Sequence, residues 1–342
     1  MAQDNALPML SAQPVQTCAW WSRSSTRLGV LVVLAVLSVV AFMTVGVQAD
    51  WTFVLQHRGT KVLTMVMVAC ALGMSTVVFQ TVTHNTILTP AVMGLDALYL
   101  FLQAVLVLVL GSVGVVGSVG VVGLGVYPKF GLEIVLMVAL SVALMRWLFT
   151  GNSRSLHLML LVGMVMGILF RSMTSFVMRM IDPNEFATLQ DRMFANFNTI
   201  HSQLLWPALL LLAVGAAYFW QRRHVLDVLA LGRDAAVNLG VDYQRQVQRL
   251  LVVMCAMVAV STALVGPVTF FGLLVANMAY QWMGTRRHQW VLPAAVLWGC
   301  VLLLAGQVVL ERVLGFNSAL SVVVEFVGGL VFIYLLVRKG KQ

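Results

Sequence analysis

Uncharged apolar stretches recur along the chain, separated by short polar or glycine-rich joints. A helix rising 1.5 Å per residue needs roughly 20 such residues to cross a hydrocarbon core about 30 Å thick. Leu28 to Val47 and Val62 to Thr83 each meet that requirement. Residues 97–126 and 250–285 are too long for one crossing, and Gly266-Pro267 interrupts the second, which predicts two helices there. Barrel strands alternate apolar with polar residues, whereas a spanning helix satisfies its own backbone and tolerates continuous apolar sequence. The pattern therefore predicts an all-α polytopic membrane protein with about ten transmembrane helices, at 28–47, 62–82, 92–111, 132–149, 155–176, 202–220, 246–264, 268–283, 290–311 and 319–337.

Composition agrees: 61% of the 342 residues are hydrophobic and 10% charged, against about a quarter charged in soluble domains. Lysine and arginine set the orientation. With the N-terminus inside, Arg23, Arg27, Arg146, Arg154, Arg222, Arg223, Arg233, Arg245, Arg249, Arg286, Arg287, Arg338, Lys339 and Lys341 fall on the cytoplasmic side. Arg58, Lys61, Lys129, Arg171, Arg179, Arg192 and Arg312 are left outside. That two-to-one bias predicts cytoplasmic termini and accounts for most of the +9 net charge without nucleic acid. Arg23 and Arg27 followed by an apolar run resemble a signal sequence, with Val47-Gln48-Ala49 as a cleavage site. The run exceeds the usual 7 to 15 residues of a signal core, which favours a retained first span.

Several chemistries have no residues to support them. Cys18, Cys70, Cys255 and Cys300 are scattered, the six histidines are dispersed, and no His/Cys/carboxylate set has metal-ligand spacing. No G-x-x-x-x-G-K-[ST] loop occurs, so ATP would have to be bound by another subunit. No catalytic constellation can be assembled. Glycine recurs at every third position in GSVGVVGSVGVVGLG, Gly111 to Gly125, which makes a poor helix and predicts an outer loop. Gly163 and Gly167 form a GxxxG pair suited to close packing.

Residues 225–245, VLDVLALGRDAAVNLGVDYQR, read instead as two short water-compatible helices joined at Gly232. Asp227 lies near the start of the first, Asp234 opens the second, and Gly240 can end it in the left-handed conformation. Leu226, Leu229, Leu231, Val237 and Leu239 are too many apolar residues for a merely solvated loop. They require a cover, either the protein's own inner surface or a cytoplasmic partner, of which the partner is the expectation.

These residues also carry a resemblance. LALGRDAAVNLGVDYQRQVQRLL, STALVGPVTFFGLLVANMA and ERVLGFNSALSVVVEFVGG, in that order, resemble the FecCD-type permeases of ABC importers, which move iron-siderophore complexes and cobalamin. The likeness runs from about residue 50 to the C-terminus. HNTILTPAVMGLDALYLFLQ and IDPNEFATLQDRMFANFN are similar to the branch for ferric siderophores of catecholate type. The resemblance implies a dimer with a second permease chain, identical or paralogous. It also implies two ATP-binding cassette subunits carrying ATP and Mg, and a periplasmic or lipid-anchored binding protein, in a bacterial inner membrane. Residues 1–27 would form a cytoplasmic tail, 28–338 the permease domain and 339–342 a second tail. Within the domain, 221–245 would be the segment coupled to the ATPase, through Leu226, Leu229, Leu231, Gly232, Val237, Leu239 and Gly240.

On the outer face the resemblance points to Arg58, Lys61 and Arg312 as docking residues for the binding protein. The family pattern has two arginines three apart around a proline; here Lys61 replaces the second and Gly59-Thr60 lacks the proline. Arg171 stands where similar sequences have small polar residues, and with Arg179 it would line an outer vestibule that attracts an anionic ferric complex, or snorkel to the surface. Met164, Phe170, Arg171, Met173, Met178, Gly266, Pro267, Phe271 and Asn277 are the candidates for the translocation path, with core packing as the alternative. Asp96 and Glu325 are intramembrane carboxylates, which also occur in secondary transporters driven by an ion gradient. Haem, hydroxamate siderophore or cobalamin remain the alternative cargoes.

Overall fold

The computed structural model describes residues 24–45, 51–111, 126–149, 156–183, 186, 189–190, 193–198, 202–312 and 320–339. Their helices are α1 (Ser24–Thr44), α2 (Trp51–Thr83), α3 (Leu95–Gly111), α4 (Val126–Phe149), α5 (Leu156–Met178), α6 (Leu205–Gln221), α7 (Arg223–Leu229), α8 (Arg233–Asn238), α9 (Tyr243–Val265), α10 (Phe271–Met283), α11 (His288–Arg312) and α12 (Leu320–Lys339). All but α7 and α8 overlap the ten expected spans one for one, and α7 and α8 fill the polar interval. Among the described residues six helices are long and apolar enough to cross a membrane. The N-terminal tail up to residue 23, the glycine repeat beyond Gly111 and the last residues from 340 lie outside the described residues.

The 33 residues of α2 make it about 50 Å long, well beyond the expected 62–82. Its first turns carry Gln56, His57, Arg58 and Lys61, which continue the helix past the apolar core. Being apolar on all sides, α2 is buried at the centre, where it packs against α11, α9, α10, α6 and α1. Small residues set these approaches. A Cβ on Gly73 would come 3.2 Å from the Ala295 carbonyl oxygen, and one on Gly299 would come 2.8 Å from the Ala69 Cβ. A Cβ on Gly272 would run into the Thr76 hydroxyl. Close backbone approach of this kind is how helices associate where no hydrophobic drive separates protein from lipid. Gly299→Val should therefore cost about 1–3 kcal/mol by overpacking and lower the melting midpoint in detergent. Gly29→Ala, whose Cβ meets nothing within 4 Å, should not.

Between α2 and α3 the chain leaves helical geometry at protein-buried depth. His84 has φ 50°, a 3-10 turn runs Pro90–Met93, and Gly94 closes it at φ 85°. The expected third span beginning at 92 thus starts at Leu95 instead, because Pro90 and the left-handed Gly94 set a separate turn first. The Thr86 carbonyl accepts from Gln80 Nε2 at 2.8 Å and Asn277 Nδ2 at 3.2 Å. Asn277 sits mid-way along α10, so this irregular backbone lies at span depth and is satisfied by protein donors, as the bilayer requires. Gly163 and Gly167 of α5 receive the turn: a Cβ on Gly167 would meet Gly94 Cα at 3.2 Å. The GxxxG pair packs closely, and its partner is this turn, not a second helix.

Candidate functional site

One end of the bundle gathers α7, α8, the start of α1, the end of α10 and the start of α11. Arg27 Nη1 donates to the carbonyls of Trp282 (3.0 Å) and Met283 (3.1 Å), satisfying the last turn of α10. Gly232 and Gly240 adopt φ 105° and 81°, which ends α7 and α8 as their sequence suggests. Asp242 then caps α9 by accepting from the Arg245 amide at 3.2 Å.

The apolar residues of this segment divide into two faces. Leu226 and Leu229 are 0% exposed and belong to the protein's main core, whereas Leu231, Val237 and Leu239 are 66%, 53% and 61% exposed. The expectation that all five face a partner is corrected for Leu226 and Leu229. They seat α7 on the bundle's own end, where burying each leucine contributes about 1.5–3 kcal/mol. Three large apolar side chains stay uncovered, joined by the glycine turns and bordered by exposed Arg233, Arg245, Arg249, Arg286 and Arg287.

Asp227 is also corrected. It lies in the last turn of α7 and reaches across to α11, where its Oδ1 accepts from the His288 backbone amide (2.8 Å) and faces His288 Nδ1 (2.7 Å). His288 Nε2 lies 2.7 Å from the Thr81 hydroxyl on α2. This three-residue chain was invisible in the sequence because its members are 61 and 207 positions apart.

At the opposite end, the expected docking cations have intramolecular partners. Arg58 Nη1 donates to the carbonyls of Phe42 (2.6 Å) and Val45 (3.0 Å), and its guanidinium stacks over the Phe42 ring at 5.5 Å. Arg312 Nη2 donates to the same Val45 carbonyl at 2.7 Å. Both arginines hold the C-terminal end of α1, with Arg312 still largely exposed. Lys61 is different: its side chain is 9% exposed, donating to Asn198 Oδ1 at 2.7 Å and lying 3.7 Å from Glu311. Gln307 Nε2 bridges to Glu311 at 2.9 Å. Lys61 is therefore a buried network residue and is corrected as a docking residue. The lysine that departs from the arginine pattern is the one turned inward.

The path candidates also separate. Met164, Arg171 and Met173 are exposed on α5, Met178 is half-buried, and Phe170 stacks on Phe101 at 5.8 Å. Phe271 is fully buried in the core. Gly266 and Pro267 are buried too, and Gly266 (φ 96°) lies so close under Phe194 and Ala195 that a Cβ would come 3.1 Å from the Phe194 carbonyl oxygen. These three are packing residues, which corrects their place on a path. Asn277 donates to Thr86 and to the Leu273 carbonyl (2.9 Å), anchoring the broken segment. Asp96 is buried at the start of α3: Thr269 is its hydrogen-bond partner, and Arg171 and Glu325 are its charged neighbours.

Among the described residues the bundle is all-helical, carries six helices long and apolar enough to cross a membrane, and leaves a pair of short helices partly uncovered at one end, the features of a polytopic membrane protein. The model of the FecCD transport family matches residues 24–338, and the chain belongs to that family. The petrobactin import system permease YclO of Bacillus subtilis (strain 168) is 39% identical over 320 residues, 94% of this chain and 99% of that protein. The ferric enterobactin transport permease FepD of Escherichia coli (strain K12) is 26% identical over 305 residues, 88% of this chain and 86% of that one. Among solved structures, a metal-chelate type ABC transporter in an inward-facing conformation superposes with a TM-score of 0.79 at 20% identity, covering 92% of this chain and 99% of that chain.

Proposed function

We propose that this chain is the permease subunit of an ABC importer carrying a ferric siderophore of catecholate type into a bacterial cytoplasm. The observation that carries the reading is the 39% identity to a petrobactin permease along nearly all of both chains. The exposed Leu231, Val237 and Leu239 support a partner ATPase, which would supply ATP and Mg, since the sequence has no nucleotide loop of its own. In this reading the α7–α8 end faces the cytoplasm, with both termini, and the Arg312 end faces the binding protein. A second permease chain, a paralogue or a copy, would complete the pore. Transport would follow from ATP-driven exchange between outward-open and inward-open dimers. Met164, Arg171 and Met173, exposed on α5, suit a bulky anionic complex, since methionine adapts its shape and arginine supplies charge.

The test is uptake of labelled iron by an iron-starved deletion strain of the source organism, supplied as catecholate, hydroxamate or haem iron, with labelled cobalamin alongside. Selective loss of catecholate uptake, restored by the gene, is the expected outcome. Selective loss of another cargo would overturn the substrate. Arg171→Ala should lower catecholate uptake about ten-fold at limiting concentration if the cation draws in the anionic complex; unchanged uptake would remove Arg171 from the path.

A further inference from the structure

We propose that Asp227, His288 and Thr81 form a positioning relay through which movement of the α7–α8 unit is handed to α2 and α11. The proposal rests on the reading of α7–α8 as the segment that docks the ATPase.

Among the described residues the other contacts of α7 with the bundle run through the apolar side chains of Leu226 and Leu229. Hydrophobic burial is non-directional, so such a contact resists separation but does not fix register. Hydrogen bonds do, because they weaken steeply with distance and angle. The single oxygen Asp227 Oδ1 meets two groups of His288, the backbone amide at 2.8 Å and Nδ1 at 2.7 Å. That amide is the first of α11, one of the donors a helix start leaves unsatisfied, and a carboxylate there is further favoured by the helix dipole. Asp227 thus caps α11 from another helix. Facing a carboxylate, the ring carries its proton on Nδ1, and Nε2 lies 2.7 Å from the Thr81 hydroxyl, whose one proton is shared between this nitrogen and the Val77 carbonyl at 2.8 Å.

Burial orders the chain from surface to interior. The Asp227 side chain is about one-third exposed at 32%, whereas His288 and Thr81 are buried. The two helices at the inner end of the relay are the pair held by Gly73 against Ala295 and Gly299 against Ala69. A stiff pair moves as a unit, so a displacement of α7 delivered at this end would reach the centre of the bundle.

The experiment uses the full permease with its ATPase and binding protein in proteoliposomes. It reads ligand transported per ATP hydrolysed, co-purification of the ATPase, and the melting midpoint. Asp227→Ala and His288→Ala should lower the ligand-to-ATP ratio about five-fold or more while the ATPase still co-purifies, and the double variant should be no worse than either single one. Thr81→Val, which keeps the side-chain shape and removes only the hydroxyl, should show the same direction with a smaller drop in melting midpoint than His288→Ala, and so covers the case in which the alanine variants fail to fold. A wild-type ratio in Asp227→Ala or Thr81→Val, with Leu231→Asp uncoupled, would overturn the relay alone. A wild-type ratio in Leu231→Asp as well would overturn the docking reading beneath it.

Discussion

Replacing Leu231 and Leu239 together by aspartate should abolish ATP-driven uptake while leaving the melting midpoint of the isolated permease unchanged. Both side chains are more than half exposed, and a surface substitution normally changes stability by no more than about 0.5 kcal/mol. Their value would lie in a partner's cleft, where a buried apolar anchor contributes about 2 kcal/mol or more and an aspartate in its place would be desolvated without a counter-charge. The checks are co-purification with the ATPase and uptake in the same preparation. Leu229→Asp makes the contrast. That residue is fully buried, so an unpaired charge there should cost more than about 4 kcal/mol and show as failure to accumulate folded protein. Equal stability losses in the two variants would mean that the exposed face is covered within the folded chain.

The second large effect is expected at the other end. Lys61→Ala should destabilise the permease by about 1–3 kcal/mol, because it leaves the partly buried Glu311 carboxylate without its cation and, among the described residues, with only Gln307 donating to it. Asn198 would lose the same donor. Thermal melts in detergent would show this, and adding Glu311→Gln should recover much of the loss by removing the stranded charge. Little change on Lys61→Ala would place the lysine back at the surface and restore it as a docking candidate.

The spans were legible as apolar runs, and each of the ten overlaps one helix, six of them long and apolar enough to cross a membrane among the described residues. What stayed hidden was orientation over short distances. α7 and α8 are seven and six residues long, under two turns each, so periodicity could not separate Leu226 and Leu229, facing inward, from Leu231 and Leu239, facing out. Lys61 read as a surface cation because nothing in its neighbourhood announces Glu311, Gln307 and Asn198, which arrive from distant segments. The break at 84–94 was partly written in Pro90 and Gly94, but the apolar residues around them masked it as the start of a span. The Asp227–His288–Thr81 chain is wholly tertiary, and no local spacing could have given it. The absence of a nucleotide loop, by contrast, needed only the sequence, and it is what directs attention to a partner at the α7–α8 end.

The most direct measurement is accumulation of labelled ferric catecholate by proteoliposomes containing the permease, its ATPase and binding protein, with ATP enclosed, compared with a proton gradient and no ATP. Accumulation that requires ATP and is insensitive to an uncoupler is the predicted result. Accumulation driven by the gradient without ATP would contradict the importer assignment and turn attention to Asp96 and Glu325.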